Sequence, residues 1–207
     1  MENLIKRYPV LEECREDIKK AAELMLETYK KGGKILLAGN GGSCADCDHI
    51  VGELMKGFLS MRRIDKNMED RIGEIFPEDK EHFKNTLQGS LPAISLPSQS
   101  ALLSAFANDV DADMVYAQLV YGYGKAEDLL IAMSTSGNSK NVVNAAKIAK
   151  VKNVKVLSFT GKKDSKLSAI SDVTIKVPET ETFKIQELHL PVYHYLCAEI
   201  ENILFGE

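Results

Sequence analysis

Five short apolar runs, each joined to the next by a stretch with helical spacing, constrain this chain more than any other feature of its sequence. They are Lys34–Ala38, Pro92–Leu96, Asp128–Met133, Val154–Phe159 and Val173–Val177. Runs that are apolar throughout suit strands covered on both faces, and intervening helices make such strands parallel. The helical stretches are Val10–Lys31 (with Leu11, Ile18, Ala22, Met25 and Tyr29 on one face), Ser43–Phe58, Gln99–Ala107, Ala112–Tyr121, Asn138–Lys150, a short piece at Ser165–Ile170, and Thr182–Leu204. Pro9 separates the first from a short helical piece before it, and Gly32-Gly33 ends it. A chain of 207 residues built this way is expected to be one α/β domain, residues 1–207.

One stretch departs from the alternation. Ser60–Ser90 is dense in charge (Arg62, Arg63, Asp65, Lys66, Glu69, Asp70, Arg71, then Glu78 to Glu81), while Ile64, Met68, Ile72 and Ile75 recur at helical spacing. It reads as an inserted helical excursion at about 60–90, not a flexible linker. The net charge of −4 argues against a broad attraction to nucleic acid or to an anionic membrane, so an anionic ligand would need local donors. No apolar run approaches the ~18 residues of a membrane span, and Met1–Arg7 has no basic segment leading into a long apolar one. Cys14, Cys44, Cys47 and Cys197 do not form a disulfide framework, and a reducing cytoplasm is expected.

Two loops carry the candidate chemistry. Gly39-Asn40-Gly41-Gly42-Ser43 lies between a strand and a helix, where glycines let backbone approach a ligand and the helix start offers unpaired N–H groups. It is neither a dinucleotide fingerprint, since Cys44 stands where the third glycine belongs, nor a Walker loop. Ser134-Thr135-Ser136-Gly137-Asn138-Ser139 follows a second strand, and its hydroxyls with the local amides suit three phosphate oxygens. A glycine-requiring turn and a Ser/Asn helix cap are the plainer readings of each loop alone. Two such loops at strand ends of one sheet favour a shared cleft.

Proton-transfer candidates lie on two helices. His49 and Glu53 are four residues apart and share a face, as a pair that moves protons or holds a metal, or as an ordinary exposed contact. The last helix carries Gln186, Glu187, His189 and His194. Gln186 and His194 are separated by about 12 Å on a straight helix, too far for one ion. A bend near Pro191, an irregular first turn at Gln186, or a group from a neighbouring subunit would each resolve this. Cys44-Ala45-Asp46-Cys47 before His49 has a superficial zinc or redox look, but no second cysteine pair exists; a helix start would lower the Cys44 pKa.

Taken together, these segments resemble the sugar isomerase (SIS) domain and, within it, the phosphoheptose isomerase family. The resemblance rests on Gly39-Asn40-Gly41-Gly42-Ser43, His49-x-x-x-Glu53, Asn108-Asp109, Ser134 to Ser139, and Ile185-Gln186-Glu187-Leu188-His189 with His194. It covers nearly all of the chain except Ser60–Ser90. It implies a flavodoxin-like three-layer fold, a five-stranded parallel sheet between helices, assembled as a homotetramer with sites at subunit interfaces. It implies that Ser134, Thr135, Ser136 and Ser139 hold a phosphate with Ser43 nearby, and that Asn40, Gly41, Gly42, Asn108, Asp109 and Gln186 contact the sugar. Glu53 is then the catalytic carboxylate and His194 its acid/base counterpart. In zinc-containing members, residues matching His49, Glu53, Gln186 and His194 bind one ion per subunit.

The implied reaction is aldose–ketose isomerisation of a phosphosugar, sedoheptulose 7-phosphate to D-glycero-D-manno-heptose 7-phosphate, through an enediol(ate). That chemistry needs a base, an acid for the oxygens and stabilisation of negative charge. The chain departs from the family pattern in three places: an arginine common shortly after the glutamate is replaced by Lys56-Gly57-Phe58, an acidic residue before Ile185 is replaced around Phe183, and the insertion is extra. The competing reading is a non-catalytic SIS protein that binds phosphosugars or a replication initiator; initiator-binding relatives lack the equivalents of Glu53 and His194. Isomerisation of another pentose or hexose phosphate is the enzymatic competitor.

Overall fold

The computed structural model describes residues 1–206. Five parallel strands form its sheet: β1 (Ile35–Ala38), β2 (Ala93–Ser95), β3 (Leu129–Met133), β4 (Lys155–Thr160) and β5 (Val173–Lys176), in the order β2-β1-β3-β4-β5. The helices are α1 (Glu2–Arg7), α2 (Arg15–Lys30), α3 (Gly42–Met55), α4 (Lys66–Ile75), α5 (Lys80–Thr86), α6 (Ser100–Phe106), α7 (Val115–Tyr123), α8 (Lys140–Val151) and α9 (Thr182–Phe205). The five expected strands and the flavodoxin-like order are therefore present.

Strand alternation sorts the core into two layers. Ile35 and Leu37 of β1, with Leu129, Ile131 and Met133 of β3, pack against Ile18 and Met25 of α2, Ile50 and Leu54 of α3, and Val192, Leu196 and Ile200 of α9. Leu36, Ala38, Leu130 and Ala132 face the other way, against Leu119 and Val120 of α7 and Val142, Ala145 and Ala149 of α8. Both faces of the sheet are covered, which is why its strands are apolar throughout. No helix among the described residues is long and apolar enough to cross a membrane.

Differences from the sequence reading are local. The stretch after Pro9 begins as a 3₁₀ segment, Pro9–Cys14, before α2. Ser165–Ile170 is a set of turns, not a helix. There the Ser168 hydroxyl accepts from the Ser165 N–H at 2.8 Å and the Ser165 hydroxyl accepts from the Ser168 N–H at 3.2 Å, so serine side chains compete with helical bonding. The excursion at 60–90 is helical as expected, made of α4 and α5, with Asp65 capping α4 through the Met68 N–H.

Asp172 ties the last turn to the sheet. Its carboxylate accepts from the Val156 N–H, Lys150 Nζ and Lys155 Nζ at 2.9, 2.9 and 3.0 Å. Burial pushes its pKa up, but these donors outweigh it and hold the group below its ordinary 3.8. Such a shift stabilises the fold above the unfolded-state value, and the gain is lost as pH falls through the folded-state value. Asp172→Asn is expected to lower unfolding stability by roughly 1–2 kcal/mol near neutral pH. In urea titrations the gap between wild type and variant should close in strong acid; a gap that persists there would contradict the linkage.

Candidate active site

Parallel pairing of β1 with β3, register Ile35↔Leu129 through Ala38↔Ala132, ends the two strands at the same level. Chain order reverses between these two strands, and ligands of such sheets bind outside the strand ends at this point. The turns after β1 and β3 therefore flank one cleft of about 370 Å³, lined by Asn40, Gly41, Gly42, Ser43, Met133, Ser134, Thr135, Ser139, Thr182 and Gln186.

Each turn has a local cause. Gly41 takes a positive φ of 56° as it leads into α3, and a Cβ on Gly39 would come within 2.7 Å of the Ser43 carbonyl. In the second turn Gly137, at φ 64°, donates to the Ser134 carbonyl at 2.9 Å. The Ser134 and Ser139 hydroxyls are 3.1 Å apart. Ser139 and Gly41 occupy the N-cap positions of α8 and α3, yet neither helix start receives a side-chain cap. The capping role expected of an ordinary serine is thus unfilled. Asn141 Oδ1 accepts from the Val142 N–H at 2.9 Å and the Gly41 carbonyl from the Cys44 N–H at 3.1 Å, which leaves the N–H groups of Gly42, Ser43, Lys140 and Asn141 for an anion. Asn40 and Asn141 exchange amide hydrogen bonds of 2.9 and 3.0 Å, fastening the glycine turn to the start of α8, and the Tyr116 hydroxyl of α7 donates to the Gly39 carbonyl at 2.8 Å.

A second cluster sits further along the same helices. His49 Nε2 lies 3.2 Å from Glu53 Oε1, and Lys56 Nζ lies 3.2 Å from Glu53 Oε2, so the carboxylate is held between an imidazole and an ammonium. The Tyr193 hydroxyl is 3.0 Å from His49 Nδ1 and 3.2 Å from Asp46 Oδ1. The His194 ring stands edge-on to that of His49 at 5.0 Å and beside Phe58 at 5.6 Å, with its Nε2 buried and unpartnered. Burial pushes the His194 pKa down, and His49 pushes it further. Glu53 opposes this, and the net effect favours the neutral ring.

Of the residues singled out from sequence, the structure gathers Asn40, Gly41, Gly42, Ser43, Ser134, Thr135, Ser139 and Gln186 at the cleft, and His49, Glu53 and His194 in the second cluster. Ser136 faces an adjoining hollow of about 220 Å³. Asn108 and Asp109 lie on an exposed π-helical turn, Ala107–Asp111, outside the cleft lining. Gln186 is in regular helix, so an irregular first turn does not bring it to His194; it packs against Gly42 instead. Among the described residues, no three His, Cys, Asp or Glu side chains converge as metal ligands. His189 is a core residue, its Nε2 3.3 Å from the Thr160 carbonyl, with burial taking its pKa down to about 4. The lowered Cys44 pKa expected at a helix start is reversed: burial and Asp48 raise it, and Cys47 is buried in the core. Sequence reasoning missed Asp46, Asn141, Tyr116 and Tyr193; only the placement of Tyr193 beside His194 offered a signal.

A cleft at uncapped helix starts and a histidine–carboxylate cluster on the same two helices, on a parallel five-stranded sheet, are the features to set beside the SIS class. SIS-domain family models match residues 2–69 and 101–196. The phosphoheptose isomerase of Thermodesulfovibrio yellowstonii is 37% identical over 188 residues, covering 91% of this chain and 81% of the relative. The solved phosphoheptose isomerase of Neisseria gonorrhoeae superposes with a TM-score of 0.76 at 32% identity, over 97% of this chain and 94% of that one. That of Francisella tularensis gives 0.78 at 27%, with the same coverage. The chain belongs to the phosphoheptose isomerase family.

A Cβ at position 42 would come within 2.6 Å of Gln186 Nε2, the movable end of a side chain. Gly42→Ala is therefore expected to displace Gln186 with little loss of stability, and to weaken phosphosugar binding about tenfold. Calorimetric titration together with thermal melting checks this; unchanged affinity would show that Gln186 takes no part in the cleft.

Proposed function

We propose that this chain interconverts sedoheptulose 7-phosphate and D-glycero-D-manno-heptose 7-phosphate. The observation that carries the reading is the spacing of the two clusters along α3 and α9. Gly42 meets Gln186 at the cleft, and His49 meets Tyr193 and His194 further on, so the two helices run side by side in one direction. From Ser43 to His49 the rise is about 9 Å. An extended seven-carbon sugar anchored by its terminal phosphate spans that distance and brings its carbonyl end to Glu53.

In this reading the hydroxyls of Ser134, Thr135 and Ser139, with the α3 and α8 amides, bind the phosphate and align the open chain. Glu53 carries the proton between the two adjacent carbons, and His194, neutral and unpartnered at Nε2, serves the oxygens. Lys56 and His49 flank the carboxylate and orient it. The proposed zinc ligands are His49, Glu53, His194 and Gln186; the first three adjoin without converging on one point, His194 has an orphaned ring nitrogen, and Gln186 would have to come from a neighbouring subunit. A bound ion would polarise the sugar carbonyl.

A homotetramer with sites at subunit interfaces suits a second groove of about 690 Å³, where Leu4, Tyr8, Phe58, Leu59 and Leu190 line one wall with His194. Four free cysteines suit a cytoplasmic setting.

Glu53→Gln is expected to cut turnover of sedoheptulose 7-phosphate roughly 100- to 10,000-fold while calorimetry still registers binding. Near-normal turnover would remove Glu53 from its role. Chelation is expected to abolish activity and zinc to restore it; full activity in metal-free protein would reject the ion.

A further inference from the structure

Arg62 stands in the charged insertion, where an arginine normally faces water, yet it is 1% exposed. Its guanidinium uses three nitrogens. NH1 donates to the Leu54 carbonyl at 2.5 Å and NH2 to the Glu53 carbonyl at 2.9 Å, capping the last turn of α3 beneath the catalytic carboxylate. Nε donates at 2.8 Å to Glu201 of α9, itself 2% exposed. The Glu201 carboxylate also accepts from the N–H groups of Phe58, Leu59 and Ser60 at 2.7, 2.7 and 3.1 Å. The Phe58 ring then lies against His194. The Arg62 guanidinium also stacks 5.1 Å from the Phe205 ring, which closes the outer side.

A buried ion pair adds little net stability over well-packed apolar groups. What this one adds is direction: one carboxylate and one guanidinium join the end of α3, the loop after it and α9. We propose that Arg62 and Glu201 are positioning residues for the isomerase site, holding Glu53 through its own carbonyl and His194 through the ring of Phe58. The proposal rests on the isomerase reading for its kinetic consequences. Its geometric part stands on the ion pair alone.

The test compares Glu201→Gln, Phe58→Leu and the double variant with wild type. Each is measured for kcat and KM toward sedoheptulose 7-phosphate and for the NMR signals of the His194 ring. Phe58→Leu keeps the backbone N–H on Glu201 and leaves the ion pair intact, so it remains informative if Glu201→Gln folds poorly. Each single variant is expected to lose roughly 10- to 100-fold in kcat per folded molecule, with KM within about twofold of wild type. The His194 ring signals should shift in both. Because Glu201 reaches His194 through Phe58, the double variant should lose no more than Glu201→Gln alone. Unchanged kcat per folded molecule, unmoved His194 signals, or losses that multiply in the double variant would each overturn the proposal. An inactive wild type would defeat the isomerase reading instead, and the His194 signals would then decide the positioning claim.

Discussion

The pairing of β1 with β3 is the constraint from which the rest of the structure follows. The two strands are distant in sequence and are brought level by a ladder from Ile35↔Leu129 to Ala38↔Ala132. At the lower end the carboxylate of Asp128 takes the Lys34 N–H at 2.9 Å and Lys34 Nζ at 2.6 Å, a buried acceptor that admits one register. A slip by one residue would turn Leu36 and Ala38 to the wrong layer and separate the turns that follow. With the register fixed, the glycine turn and the serine turn open side by side, and the Asn40–Asn141 amide pair fastens the first to the start of α8.

From that edge the chemistry is spread along two helices. α3 begins at the cleft with Gly42 and Ser43 and carries His49 and Glu53 down its length; α9 places Gln186 at the cleft and His194 two turns later. On the proposed function, the side-by-side packing of α3 and α9 converts sequence spacing into distance between the phosphate grip and the proton-transfer pair. The Arg62–Glu201 ion pair joins the same two helices at their far ends.

Much of this was legible because the signals are local. Gly39 to Ser43 and Ser134 to Ser139 sit between a strand and a helix, and residue type alone says what each turn needs. His49 and Glu53 share a face by helical period. What escaped the sequence reading depends on residues far apart in the chain. Nothing near Arg62 announces that its partner is Glu201, and its charged neighbours suggest a solvated surface. Tyr193 and Asp46 meet only when α9 lies against α3. The turns at Ser165–Ile170 went astray because side-chain hydroxyls, not apolar period, decide the backbone there. The separation of Gln186 and His194 was readable from helical rise, and α9 does stay helical from Thr182 to Phe205.

The central claim is that the substrate phosphate is held where β1 and β3 give way to α3 and α8. Amide chemical-shift mapping during titration with sedoheptulose 7-phosphate tests it most directly. The account predicts that the largest shifts fall on the amides of Gly41 to Ser43 and Thr135 to Lys140. Shifts confined to the hollow of the insertion, around Arg63, Lys84 and Gln88, with both turns silent, would contradict it.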